Sequence, residues 1–460
     1  MMFGPCTKDL RHEEPLTKPT SRMWGIRNLR RKAFVVVLVV VGLILLDQIY
    51  LHVWLSSPST QFQRSLHLDD VRQLLRAGQD ASVTTILFDP VILDAWNRNS
   101  HVEVPGVCIF LCHVVGPLTF AVTAAQLRDK PMFLSRLAQL GFTVTIFENS
   151  EGQRSHVFLM RQGSPLHLVV LHMKPADYLR QYALEGPPHN VAQVKQYITK
   201  DSWNHMKLDR AYERFSTKDK KIDGVDLTVP SHVDSFLTDH RNSHFLPCNE
   251  SRAGYYNLKY LKNESPEDTR FKHKAWKLIG KAKVLLDQLN IPFWLSSGTC
   301  LGFYRQCDII AWSKDVDLGI FIEDYKPAII TEFEKRGLRL IAKFGKESDS
   351  LELSFKEDEV KLDLFFFYTE GATMWNGGTQ ARTGKKYKYV FPAFTLCWTE
   401  FLELKVRVPC QTEEYIRANY GPSWFTPVTN WDWKTSPPNV RENGVWPEAE
   451  RSEVIVLKDV

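Results

Sequence analysis

Phe293-Trp294-Leu295-Ser296-Ser297-Gly298-Thr299-Cys300-Leu301-Gly302 and, a short way on, Lys314-Asp315-Val316-Asp317-Leu318-Gly319-Ile320-Phe321 are the stretches on which the fold turns. The first reads as a strand, Phe293 to Leu295, running through a Ser-Ser-Gly-Thr turn into a helix. Glycine lets a phosphate approach the backbone, and a helix N-terminus offers free N–H groups and the positive end of its dipole. Ser297, Gly298 and Thr299 are therefore candidate contacts for a phosphorylated ligand. The second stretch alternates as a strand does, so Asp315 and Asp317 share a face. Two carboxylates so placed outline a site for a hard cation, Mg²⁺ or Mn²⁺, bridging a diphosphate. A third acid extends it: Lys361-Leu362-Asp363-Leu364-Phe365-Phe366-Phe367-Tyr368 is a very apolar strand interrupted by Asp363. A carboxylate there is costly unless paired or metal-bound. Lys361 is the competing partner, but at the strand's start its long side chain can reach solvent. The expectation is therefore that Asp315, Asp317 and Asp363 hold one metal site. Arg305 and Lys314 are candidates for phosphate contact.

Upstream, Ala275, Leu278, Ala282, Leu285, Leu286 and Leu289 recur at helical spacing until Asn290-Ile291-Pro292 ends the helix. Residues 246–270 are polar and read as a linker, leaving 271–460 as a catalytic domain. Before it, β-branched runs at Val83–Phe88, Val107–Val115, Phe142–Phe147, Val157–Met160 and Leu166–Met173 predict strands. Phe120–Leu140 has helical spacing between them. This alternation predicts a stem and an α/β or α+β domain over 56–245. Asp89 and Glu148, which close two of the strand runs, read as turn residues because no phosphate loop accompanies them.

Net charge is +5, from 58 basic and 53 acidic residues. Residues 1–32 hold eight Lys/Arg against three Asp/Glu, 8 − 3 = +5, so the rest balances at 50 against 50. The excess sits in one arm beside an apolar run, which argues against a nucleic-acid partner. That run, 33–55, is about 23 residues, enough to cross a bilayer once. A cleaved signal peptide is disfavoured by the long basic region and by the lack of a small-x-small site after Leu55. The basic arm 1–32 is then cytoplasmic and the remainder lumenal. Asn249-Glu250-Ser251 and Asn263-Glu264-Ser265 are N-glycosylation sequons in keeping with that topology. Of the eight cysteines only Cys6 is cytoplasmic, leaving seven in an oxidising space, so at least one is free or intermolecular. Cys108 and Cys112 read as packing or a local disulfide rather than a metal site.

A Gly-Thr turn, an Asp-x-Asp strand and a later single-Asp strand together form the plan of the nucleotidyltransferase-like fold. Trp294–Phe321, with Asp308-Ile309-Ile310-Ala311-Trp312 leading into Asp315-Val316-Asp317, resembles the LicD-type phosphotransferases. Met374-Trp375-Asn376-Gly377-Gly378-Thr379, the basic tail and the single anchor narrow the resemblance to the ribitol-phosphate transferases among them. It covers about residues 270–450; the N-terminal half is similar mainly in layout. Lys314 stands where the LicD pattern usually has a further acid, which puts a four-carboxylate site in doubt. The resemblance implies a Golgi single-pass type II enzyme that uses CDP-ribitol to add ribitol phosphate to the phosphorylated O-mannosyl glycan of α-dystroglycan. Fukutin-related protein and other transferases of that pathway would be its partners. Asp315, Asp317 and Asp363 would then neutralise the diphosphate through the metal, with Asp363 the foremost candidate to orient or deprotonate the acceptor hydroxyl. A nucleotide-sugar glycosyltransferase, which also uses Asp-x-Asp with Mn²⁺, and a non-catalytic escort of glycosylation are the competing classes.

Overall fold

The computed structural model describes residues 58–458 apart from 101–106, 113–115, 162–163 and 261–263. The basic arm, the anchor at 33–55 and the Asn263 sequon lie outside the described residues. No helix among the described residues is long and apolar enough to cross a membrane. The chain forms two units, Met1–Asp69 and Asp70–Val460. Of the first, residues 58–69 are described and form the start of helix Pro58–Ala81. The second is a mixed α/β structure built on two nine-stranded sheets.

The first sheet contains β1 (Ile86–Leu87), β2 (Leu118–Thr123), β3 (Thr143–Glu148), β4 (Arg154–Arg161), β5 (Ser164–Lys174), β6 (Tyr178–Gln181), β7 (Arg210–Glu213), β8 (Thr217–Ile222) and β9 (Val225–Pro230). Its order is β3-β4-β5-β2-β1-β9-β8, with β6 on β5 and β7 on β6. Two local expectations fail. Residues 107–112 are not a strand: Cys108 and Cys112 form a disulfide with Cα atoms 5.7 Å apart, whereas four extended steps span about 13 Å. The loop they close wraps around Asp223, whose carboxylate accepts the N–H groups of Ile109, Phe110 and Leu111 at 2.8, 2.8 and 2.7 Å. The expected helix Phe120–Leu140 begins as a strand instead. β2 lies inside the sheet between β1 and β5, with Phe120, Ala121 and Val122 fully buried. A strand buried on both faces gives a continuous apolar run, which spacing does not distinguish from a helix. The helix starts only at Ala124, where Thr123 and Gln126 form a capping box. Asp89 caps helix Pro90–Asn99, accepting from Val91 and Ile92, as a turn residue should.

The expected linker carries structure. Helix Glu250–Tyr260 packs against helix Ser297–Gln306, and Cys248 is disulfide-bonded to Cys307. Helix Pro266–Gln288 follows, opened by a Ser265/Asp268 capping box, and buries Ala275, Leu278, Ile279, Ala282, Leu285 and Leu286.

The second sheet comprises β10 (Trp294–Leu295), β11 (Asp315–Phe321), β12 (Arg339–Lys346), β13 (Asp349–Glu357), β14 (Val360–Glu370), β15 (Thr373–Gln380) and β16 (Lys385–Pro392). A separate hairpin, β17 (Leu396–Phe401) and β18 (Leu404–Pro409), precedes helix Thr412–Tyr420. The sheet is completed by β19 (Val440–Val445) and β20 (Ile455–Leu457), in the order β19-β16-β15-β14-β13-β12-β20. β11 runs parallel to β14 and pairs with β10. Leu362, Leu364 and Phe366 of β14 are fully buried, each contributing about 1.5–3 kcal/mol. Gly319 gives β11 room beneath Trp294, since a Cβ there would lie 2.3 Å from the indole.

Candidate active site

The parallel register of β11 and β14 builds the site. Asp315 stands opposite Lys361 and Asp317 opposite Asp363, while on the other edge of β14 Ser354 of β13 faces Asp363. Side chains two apart share a face, so three strands present their polar residues together. One carboxylate oxygen each of Asp315, Asp317 and Asp363 lies within 4.8 Å of the others.

Each acid is held separately. Asp317 Oδ2 accepts the Gly298 N–H at 2.9 Å, its own N–H donates to Thr299 Oγ1 at 2.8 Å, and its carbonyl accepts from Ser296 N at 3.0 Å. Gly298 and Thr299, expected to meet a phosphate, thus position Asp317 at the N-terminus of helix Ser297–Gln306. Tyr415 sits behind this turn, its hydroxyl 2.8 Å from Ser296 Oγ. Asp363 Oδ1 accepts the Ser354 hydroxyl at 2.6 Å. Its Oδ2 lies 2.6 Å from Lys361 Nζ, which is also 4.0 Å from Asp315. The expectation that Lys361 turns to solvent is corrected: it turns inward to the acids it flanks, so burial alone does not require a metal at Asp363.

The electrostatics still favour a cation. Burial, then the charge of Asp363, pushes the Asp315 carboxyl up to about 6 against the opposing pull of Lys361. Burial and the charges of Asp315 and Asp363 raise Asp317 well above the carboxylate range despite the Gly298 hydrogen bond. One ammonium among these acids undercompensates them, and all-oxygen donors so close suit Mg²⁺ or Mn²⁺.

The acids open onto a cavity of about 760 Å³. Ser297, Gly298, Arg305 and Lys314 line it, whereas Thr299 is buried in the wall. Arg305 is 2% exposed, stacks 4.5 Å over the Tyr256 ring and donates from Nε and Nη2 to Gln306, with no carboxylate partner among the described residues. Tyr256 belongs to the supposed linker. Lys314 is exposed, with a left-handed backbone (φ 66°) just before β11. Asn249 lies elsewhere: it is exposed and caps helix Glu250–Tyr260 through the Arg252 N–H.

Of the remaining wall, Glu352 is the residue that the sequence does not single out. Glu352, Asn376, Tyr389, Tyr420, Trp431 and Trp433 line the same cavity. Burial and then the Asp363 charge push the Glu352 carboxyl up to about 8. The basic segment Lys385–Lys388 is ion-paired throughout, Lys385 with Glu442, Lys386 with Asp349 and Lys388 with Glu370.

Comparison with known proteins covers both halves of the chain. Residues 290–411 match the family model "LicD/FKTN/FKRP, nucleotidyltransferase domain", and residues 53–277 match "Fukutin N-terminal". Ribitol-5-phosphate transferase FKTN of Homo sapiens is 40% identical over 412 residues, covering 84% of this chain and 87% of that protein. The Mus musculus FKTN is 39% identical over 407 residues with the same coverage. Ribitol 5-phosphate transferase FKRP of Homo sapiens is 48% identical over 40 residues, 9% of this chain and 8% of that protein. With identity of this level along most of its length, and both halves matched by family models, the chain belongs to the fukutin family.

Proposed function

We propose that this chain is a metal-dependent ribitol-5-phosphate transferase, taking ribitol phosphate from CDP-ribitol and releasing CMP. The observation that carries the metal-dependent part is the convergence of Asp315, Asp317 and Asp363 on one cavity, which the buried Arg305, without a carboxylate partner among the described residues, also lines. A divalent cation held by the three carboxylates supplies charge neutralisation at the diphosphate. Arg305, pre-set on Tyr256, and Lys314 bind phosphate oxygens. The helix N-terminus acts through Asp317, which Gly298 fixes in place.

The acceptor in this reading is the phosphorylated O-mannosyl glycan of α-dystroglycan, and the enzyme works in the Golgi lumen as a single-pass type II protein beside fukutin-related protein. The FKTN and FKRP relatives support the transferase class. Sequons, basic arm and apolar run support the topology. The test is full-length protein in detergent with CDP-ribitol, Mn²⁺ and a phosphorylated O-mannosyl glycopeptide, followed by mass spectrometry. A gain of ribitol phosphate is expected. Transfer of a sugar from a nucleotide sugar, or no transfer at all, would favour the glycosyltransferase or the escort.

A further inference from the structure

The acids of the site divide by strand. β14 has β11 on one edge and β13 and β15 on the other. On the β11 side lie Asp315, Asp317, the helix carrying Arg305, and Lys314. On the β13 side lies Glu352, opposite Phe365 and thus one face-step from the Ser354–Asp363 pair. Cross-strand neighbours at this diagonal are within reach of a long side chain. Glu352 lines the cavity together with Asn376, Tyr389 and Trp433.

Availability also separates the acids. Asp317 Oδ2 is taken by Gly298, and the Asp363 oxygens by Ser354 and Lys361. None of the side-chain hydrogen bonds or ion pairs described for this site involves Glu352.

Displacement at phosphorus places the attacking oxygen in line with the leaving group and on the opposite side. If Arg305 and Lys314 hold the nucleotide diphosphate on the β11 side, the acceptor hydroxyl must come over β13 and β15. We propose that Glu352, and not Asp363, whose oxygens are engaged by Ser354 and Lys361, is the general base that takes the proton of the acceptor hydroxyl. The inference rests on the phosphotransfer function proposed above. In the step, the acceptor O–H bond breaks and its proton passes to the Glu352 carboxylate. The oxygen forms a bond to the ribitol-bearing phosphorus, and the bond from that phosphorus to the bridging oxygen breaks, its electron pair leaving with CMP. Asn376 and the Trp433 face then belong to the acceptor subsite.

The test uses the full-length protein. Glu352→Gln keeps size and polarity but cannot accept the proton; it should lower kcat by about 10²–10⁴-fold, the usual contribution of a positioned base. KM for CDP-ribitol and the calorimetric affinity for Mn²⁺ should stay within about threefold of the native values, because a base acts on the acceptor hydroxyl and not on the donor or the metal. Glu352→Ala, should the glutamine variant fold poorly, should regain turnover with added formate, a small carboxylate that fits the vacated space. Native-like kcat in Glu352→Gln would overturn the role. Weakened Mn²⁺ binding would overturn it in favour of a fourth metal ligand. Absence of transfer by the native chain would instead bring down the phosphotransfer reading itself.

Discussion

Asp317 is the acid whose environment is best defined, and its substitution separates shape from charge. Asp317→Asn keeps an oxygen for the Gly298 N–H and removes one of three crowded carboxylates. Transfer should fall by at least about 10²-fold, as when one preorganised electrostatic contact is lost, while metal-free protein melts no lower than native. A lower melting temperature would show that Asp317 is needed for folding. The same crowding sets a pH dependence. Asp315 at about 6, Glu352 at about 8 and Asp317 all lie above their unfolded values. Groups raised on folding hold more protons in the native state, so their stabilisation is complete below the unfolded value and is lost as pH rises through the folded one. In EDTA, the melting temperature should therefore decline from pH 5 to pH 8, and saturating Mn²⁺ should flatten the decline. A melting curve that rises with pH in EDTA would count against the raised acids. Lys361 competes for the same charge: Lys361→Met should tighten Mn²⁺ binding and lower metal-free stability, read by calorimetry and melting.

Among the elements, those that read from sequence do so because one local pattern decides them. β11 shows strict alternation with two acids in phase, and helix Pro266–Gln288 shows an apolar stripe behind a capping box. Asp363 was visible as one charge in an apolar strand. Glu352 was not, because its place depends on the register of β13 on β14, which no local pattern encodes. Lys361 was misjudged for a related reason: its direction follows from the acids of β11 across the ladder. β2 and residues 107–112 failed where burial on two faces or a short disulfide overrode spacing. The turn Asp223-Gly224 joins β8 to β9 with both residues at positive φ (49° and 73°), the backbone of a two-residue hairpin. Its aspartate also gathers three N–H groups of the 107–112 loop. Asp223→Ala should cost about 1–3 kcal/mol for those stranded donors, with further strain from the left-handed backbone. Asp223→Asn, which suits the turn, should cost less. Chemical denaturation that finds the two equal would assign the loss to the carboxylate's contacts with the 107–112 loop and not to the turn.

At the scale of the whole molecule, the two sheets meet through hairpin β17–β18. Trp398 donates its N–H to the His244 carbonyl and accepts from Leu246 N, both at 2.8 Å, and Thr399 Oγ1 donates to the Leu246 carbonyl at 2.7 Å. Lys405, with a 4% exposed side chain, pairs with Glu213 at 2.6 Å and lies 4.0 Å over the Trp398 ring. The polar stretch read as a linker supplies Cys248 to the Cys307 bridge and Tyr256 to the Arg305 stack. A cut by composition at residue 271 thus passes through the supports of the catalytic site. Residues 243–460 keep the bridge, the stack and the Trp398 pairing; residues 271–460 lose all three. The 59-residue separation of Cys248 and Cys307 makes that bridge worth about 4 kcal/mol in the loop-entropy account. The longer fragment should therefore melt well above the shorter one, and only it should bind cytidine diphosphate through a placed Arg305. If both melt alike and bind equally, the helix Glu250–Tyr260 is dispensable, and Arg305 finds its position without Tyr256.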